Sequence, residues 1–249
     1  MSLLDSITPL QWALIGVSGL LIGMNKTGLM GAATAAIPIM ASIFGAQRSV
    51  GLILPMLITA DALAVIYYRR HADWSVVARL LPWALAGIAV GVVVGDAVPD
   101  HSFRVLLAVV VLAGLVLLAY KEVFHRDLRI PETWWLSMTL GVLAGFTTMV
   151  GNAAGSITTL YFLSMGMSKN TFIGTGAWFF FVVNVIKVPL HIVFWETISL
   201  QTLAVNAVVA PVILLGGVAG LLLVRHIKEG PYRVFILVVT ALISFRLFL

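Results

Sequence analysis

The chain has no cysteine among its 249 residues and carries charge on only 10% of them. The first absence excludes disulfides and thiolate metal sites. The second excludes a water-soluble domain, which is normally about 25% charged. Catalytic groupings are missing as well. All five histidines, His71, His101, His125, His191 and His226, fall at loops or at the ends of apolar runs. No His-Glu-x-x-His motif and no carboxylate pair lies within an apolar run, so hydrolytic or metal chemistry has no nucleophile, base or ligand set to work with. No catalytic residue, cofactor or metal site is expected.

What is present is apolar. Hydrophobic residues make up 61% of the chain, and the mean hydropathy is +1.09. Because a membrane-crossing helix needs roughly 20 mostly apolar residues, six spans are expected, at 49–68, 80–96, 103–121, 171–191, 203–224 and 232–248. The first apolar run follows Met-Ser-Leu-Leu-Asp without a basic leader, so it is expected to be retained, not cleaved as a signal peptide. The net charge of +5 does not point to nucleic acid, because most of the Lys and Arg sit in short loops between spans. That is how basic loops hold a membrane protein's cytoplasmic side.

Two apolar stretches, 11–44 and 134–168, are too long for one helix and short for two spans. Each is interrupted, the first within Gly19–Gly31 and the second within Gly141–Ser156. Glycine and Asn admit backbone conformations that a helix interior does not. These stretches are expected to form two re-entrant hairpins with broken tips deep in the bilayer. Limbs of about 12–15 residues, roughly 18–22 Å long, are expected for the first. Pairs of short complete spans are the alternative.

The two halves resemble each other. Gly19 and Gly23 match Gly141 and Gly145 at an offset of 122; Gly28, Gly51, Asp61 and Asp73 match Gly151, Gly174, Asn184 and Glu196 at 123; Pro82, Gly87, Gly91 and Arg104 match Pro211, Gly216, Gly220 and Arg233 at 129. The expected layout is a single all-α membrane domain. Repeat one covers about 11–121, a linker 122–133, and repeat two about 134–249. A hairpin returns to its own side, and three further spans are an odd number, so the second repeat must be inverted. On that layout one face carries Arg69, Arg70, Arg79, Lys121, Arg126, Arg129, Lys169, Arg225, Lys228 and Arg233, and the other only Arg48, Arg104 and Arg246. The first face is then cytoplasmic and both termini lie outside the cytoplasm. Inverted repeats with broken helices are common in secondary transporters.

Lys26, Asp61 and Lys187 remain inside the membrane, where charge is costly and is usually functional or paired. Lys26 stands in the first tip between Asn25 and Thr27. With Gly28 and the following half-helix it could bind an anion at a positive helix end, with Thr27 or Asn25 as cap, or it could snorkel to water. The second tip offers Thr147, Thr148, Gly151, Asn152 and Ser156 as neutral donors, or as small residues that let helices pack closely. Asp61 could carry a coupling proton or pair statically with Lys26, and Asn184 is its uncharged counterpart. Lys187, near a span end, is expected to snorkel. Trp178 could wall the site or only pack. Trp12, Trp74, Trp83, Trp134, Trp135 and Trp195 are expected at the membrane interfaces.

With its duplicated layout, and with Gly19-Leu-Leu-Ile-Gly23-Met-Asn-Lys-Thr-Gly28 and Gly141-Val-Leu-Ala-Gly145 through Gly151-Asn152 opening the halves, the chain resembles the sulfite exporter TauE/SafE family, also called the 4-toluene sulfonate uptake permeases. Many members have a Gly-Gly-Gly or small-residue run near the first break, where this chain has Asn25-Lys26-Thr27. The resemblance implies movement of a small sulfur-containing anion, sulfite or an organosulfonate, across a bacterial inner membrane. The residues themselves imply a transporter with anion-compatible tips. A proton or sodium ion could be the coupling partner, and a homo-oligomer is compatible. Another small anion such as a carboxylate or thiosulfate, or an anion channel, is the alternative.

Overall fold

The computed structural model describes residues 3–29, 32–99, 102, 105 and 134–226. The spans expected at 103–121 (apart from residue 105) and at 232–248, the linker 122–133 and the chain termini lie outside the described residues. Among the described residues the chain is helical, with no strand. In order, the helices are α1 Leu3–Ser6, α2 Pro9–Thr27, α3 Ala33–Phe44, α4 Ala46–Tyr68, α5 Trp74–Ala97, α6 Trp134–Gly151, α7 Gly155–Ser164, α8 Lys169–Val193 and α9 Leu200–His226.

Among the described residues five segments are long and apolar enough to cross a bilayer: Gln47–Tyr68, Trp74–Gly95, Trp134–Gly151, Lys169–Val193 and Leu200–Val224. The protein is a multi-pass membrane protein. Where spans were expected within these residues, a long helix is found.

The interrupted stretches differ from the expected limbs. α2 has 19 residues and α3 has 12, or roughly 28 and 18 Å at 1.5 Å per residue. α6 has 18 and α7 has 10, roughly 27 and 15 Å. The entering limb is thus nearly a full span in each hairpin, and only the returning limb is short. The reason is that Gly19, Gly23, Gly141 and Gly145 do not break their helices. The breaks come later, at Gly28 with φ 145° and Asn152 with φ 55°, left-handed conformations suited to these two residue types.

The early glycines serve packing. On the α2–α9 interface Gly19 lies against Val209, Gly23 against Ile213, Leu20 against Gly216 and Met24 against Gly220. On the α5–α6 interface Gly141 lies against Leu80, Gly145 against Ala84, Val142 against Gly87 and Phe146 against Gly91. Adding 122 to each α2 residue and subtracting 129 from each α9 residue turns the first set into the second. A side chain at Gly23 would run into the Ile213 carbonyl, and one at Gly145 into the Ala84 carbonyl. Small residues let helix backbones approach closely where lipid offers no hydrophobic drive to associate.

α4 and α8 cross between these interfaces. Gly51 backs onto Thr197 just past α8, Asp61 meets Asn184, and Gly174 backs onto Tyr68 at the end of α4. Rising numbers on one helix pair with falling numbers on the other, so the two run antiparallel.

Trp195 departs from the expected interfacial belt. It is buried, donates from Nε1 to the Val92 carbonyl at 3.3 Å, and fills the space left by Gly95. Trp134 and Trp135 are exposed and stacked, as an interface anchor would be.

Candidate functional site

Among the described residues three charged side chains, Lys26, Asp61 and Lys187, sit deep in the helix assembly. Lys26, on the last turn of α2, puts its Nζ 2.9 Å from Asp61 Oδ1 and 4.1 Å from the centre of the Phe180 ring. Asp61 is fully buried in α4, and Asn184 of α8 donates from Nδ2 to its Oδ2 at 2.7 Å. An ionised carboxylate accepts only, which fixes the Asn184 amide with Nδ2 toward Asp61. Its Oδ1 is left buried without a partner.

Lys187 does not snorkel. It is fully buried and donates to the Thr148 carbonyl at 2.6 Å, to Asn152 Oδ1 at 2.6 Å and to Thr148 Oγ1 at 3.3 Å. Asn152 donates from Nδ2 to the Val50 carbonyl at 3.1 Å, so its oxygen is committed to the lysine. Three acceptors match the three N–H bonds of an ammonium group. Among the described residues no carboxylate lies within ion-pair distance of Lys187. A buried charge held only by neutral dipoles is costly unless something compensates it.

Between these groups lies a cavity of about 50 Å³ lined by Asn25, Lys26, Ala33, Leu57, Thr148, Asn152, Gly155, Gly176, Ala177, Phe180 and Asn184. Ala33 and Gly155 are the first residues of α3 and α7, the two returning limbs. The first turns of both helices therefore reach the cavity wall, and a helix N-terminus carries partial positive charge. Ala32, the cap residue of α3, makes no side-chain cap bond.

Of the residues expected at the site, Asn25, Lys26, Thr148, Asn152 and Asn184 meet in the cavity wall, and Asp61 and Lys187 stand directly behind it. The rest lie elsewhere. Thr27 caps nothing: its Oγ1 donates to the Gly23 and Met24 carbonyls. Gly28 closes α2 through its N–H to the Met24 carbonyl and packs on Val224. Asn152 likewise directs its N–H to the Thr148 carbonyl at 3.0 Å, so neither backbone N–H is open to a ligand. Thr147 bonds back to Leu143 and Ala144. Gly151 is buried within α6, and Trp178 packs against Trp74 and Phe181. The side chain of Ser156 lies outside the described residues.

Phe180 is the chief residue that the sequence analysis did not single out. Gly176, Phe180 and Asn184 recur every four residues along α8. That spacing puts them on one helix face, and Asn184 marks it as the polar one.

Outside the spans, Asp73 opens α5. It accepts from Ser75 Oγ at 2.6 Å and from the Ser75 and Val76 amides. These bonds, the hydroxyl's first, hold its carboxyl below the usual range. Its own N–H donates to Thr175 Oγ1 at 2.9 Å, tying this loop to α8.

A search of curated proteins gives no match. Over residues 14–247 the chain matches the family model described as Sulfite exporter TauE/SafE, and with nearly its whole length covered it belongs to that family of membrane transporters.

Proposed function

We propose that the protein is a secondary transporter for a small sulfur-containing oxyanion, sulfite or a short sulfonate, held in the cavity between the two hairpin tips. The carrying observation is a fully buried lysine beside the cavity. Lys26 and Asp61 cancel, and Lys187, which among the described residues has only neutral partners, supplies one positive charge when protonated. Two helix N-termini add to it. An anion leaving water for such a place exchanges its hydration for the field of Lys187, the Asn25 amide and the first-turn N–H groups of α3 and α7. Thr148 and Asn152 sit between Lys187 and the cavity and carry its field to the anion.

Size narrows the ligand. About 50 Å³ corresponds to roughly three to five water positions at about 10–15 Å³ each. That suits sulfite, sulfate or a one-carbon sulfonate better than an anion that carries an aromatic ring. Apolar walls at Leu57, Ala177 and Phe180 suit an occluded site better than a continuous polar channel.

We further propose that the halves, about 11–121 and 134–249, are inverted repeats and that the hairpins are re-entrant on their short limbs. The support is the offset relation between the α2–α9 and α5–α6 contacts. A two-fold axis that exchanges the halves would produce that relation. Since α4 and α8 are antiparallel and meet at the matched pair Asp61 and Asn184, such an axis lies in the membrane plane. Both termini then lie outside the cytoplasm, in what the family suggests is a bacterial inner membrane.

A thermal-shift series on the detergent-purified protein tests the ligand. Sulfite, sulfate, thiosulfate and methanesulfonate should raise the melting temperature as each occupies the folded state, while 4-toluenesulfonate and acetate should not. A shift only with acetate would reassign the site to carboxylates, and no shift with any anion would remove the anion site.

A further inference from the structure

Lys26 has two neighbours of opposite kind. Lys26 lines the cavity, where an anion would meet it, but its ammonium is held at 2.9 Å by Asp61. Asn184 is in the same position. It lines the cavity, yet its donor atom faces Asp61 and its acceptor oxygen has no partner. Both groups suited to an anion are turned away from it by one carboxylate.

We infer that Asp61 is a proton-binding site linked to the anion: a doubly charged anion enters the cavity together with one proton, which adds to the Asp61 carboxylate and releases Lys26 and the Asn184 amide to the anion. This rests on the anion site proposed above. The proton comes from the aqueous phase and forms an O–H bond on Asp61, and no other bond breaks. As an acid, Asp61 no longer attracts Lys26 as a counter-charge. It also gains a donor. Asn184 can then turn its amide and accept from that O–H through the oxygen now unpartnered, so that its N–H bonds are no longer held by a carboxylate. One protonation thus changes both groups in the direction that favours an anion.

Charge sets the stoichiometry. With Asp61 ionised and both lysines protonated, Lys26, Asp61 and Lys187 sum to one positive charge, which one monoanion neutralises. With Asp61 protonated the sum is two, which a dianion neutralises. The number of protons taken up therefore follows the charge of the anion, and the loaded site is neutral in either case. Among the described residues α8 also carries the buried Lys187 and His191, and loss of the uptake in Asp61→Asn separates Asp61 from them. The charged residues acting on Asp61 are Lys26 from α2 and Lys187 from α8, with Asn184 as the hydrogen-bonding neighbour. α3 and α6 carry no titratable residue, and those of α9, Arg225 and His226, stand at its last turn.

Calorimetry on the full-length protein in detergent, run in two buffers of different ionisation enthalpy, counts the protons. Sulfate and methanesulfonate are the probes, since neither titrates near neutral pH. Sulfate should bind with about one proton taken up, and its affinity should rise by up to about tenfold per unit of falling pH, the limit for one linked proton. Methanesulfonate should bind with none. In Asp61→Asn, a neutral stand-in for the acid, sulfate should bind without proton uptake, and at high pH as tightly as the unmodified protein does at low pH. Equal proton counts for the two anions, no uptake with sulfate, or an unchanged count in Asp61→Asn would overturn the linkage while leaving the anion site standing. Binding of neither probe nor of sulfite would overturn the site and the linkage together. The counts on the unmodified protein do not depend on the variant folding. Infrared spectroscopy on that protein gives a second measure: a protonated-carboxyl band should appear on adding sulfate and not on adding methanesulfonate.

Discussion

Asp61 and Asn184 stand 123 residues apart in the sequence and meet where α4 and α8 cross, Asn184 Nδ2 to Asp61 Oδ2 at 2.7 Å. They match in the sequence at an offset of 123, and only one of them is ionisable. A pairing that would otherwise be symmetric amide to amide becomes a buried acid with one amide neighbour and one lysine neighbour.

That pairing gives Lys26 a structural role. In Lys26→Met the Asp61 carboxylate is buried with no counter-charge, and removing one partner of such a pair costs about 3–5 kcal/mol. Adding Asp61→Asn should restore most of this, since the charge needing a partner is gone. Chemical unfolding in detergent of the two single variants and the double variant checks it. Equal losses in Lys26→Met and in the double variant would show that Lys26 stabilises through packing alone.

Gly23 and Gly145 occupy matched places in the α2–α9 and α5–α6 interfaces, each against a carbonyl of the facing helix. Gly23→Val and Gly145→Val should each destabilise by at least about 1–3 kcal/mol, the range for overpacked interiors, and by similar amounts. Gly16→Ala, with open space around it, should change little. Thermal unfolding compares the three. A large loss at Gly23 with none at Gly145 would argue against the equivalence of the halves.

Asp73→Ala should cost about 1 kcal/mol near neutral pH, the usual worth of a helix N-cap. Because folding lowers the Asp73 pKa, its contribution is present above the ordinary carboxylate range and is lost as pH falls through the folded-state value. The difference between Asp73→Ala and the unmodified protein should therefore shrink in acid. A difference that does not change with pH would show that the cap acts without its charge.

The absence of cysteine makes the topology testable by single cysteines. Ser199→Cys, in the α8–α9 loop, should react with a membrane-impermeant thiol reagent added outside intact cells. Arg70→Cys, in the α4–α5 loop, should react only after the cells are opened. The opposite pattern would reverse the orientation.

Much of this was legible in the sequence because membrane insertion depends on hydropathy. The helices at Gln47–Tyr68, Lys169–Val193 and Leu200–Val224 are apolar runs bounded by polar loops. The site was legible where a polar residue had no reason to be in an apolar run, as with Lys26, Asp61, Asn152 and Asn184. The hairpin limbs were not, because a glycine that breaks a helix and one that admits a neighbouring helix are the same letter. Gly23 was read as part of an interruption and turned out to be a contact with Ile213. Lys187 was misjudged for a related reason. Nearness to a span end suggests snorkelling, but the acceptors that hold Lys187 come from the end of α6 and the residue just past it, 39 and 35 residues away, and no local pattern announces them.

Exchange of radiolabelled sulfite into proteoliposomes preloaded with unlabelled sulfite tests the central claim most directly. The account predicts saturable exchange by the unmodified protein, insensitive to added 4-toluenesulfonate and reduced by at least about tenfold in Lys187→Met. Lys187→Met removes the uncompensated charge and leaves the Lys26–Asp61 pair in place. Absence of exchange by the unmodified protein, or full exchange by correctly folded Lys187→Met, would contradict it.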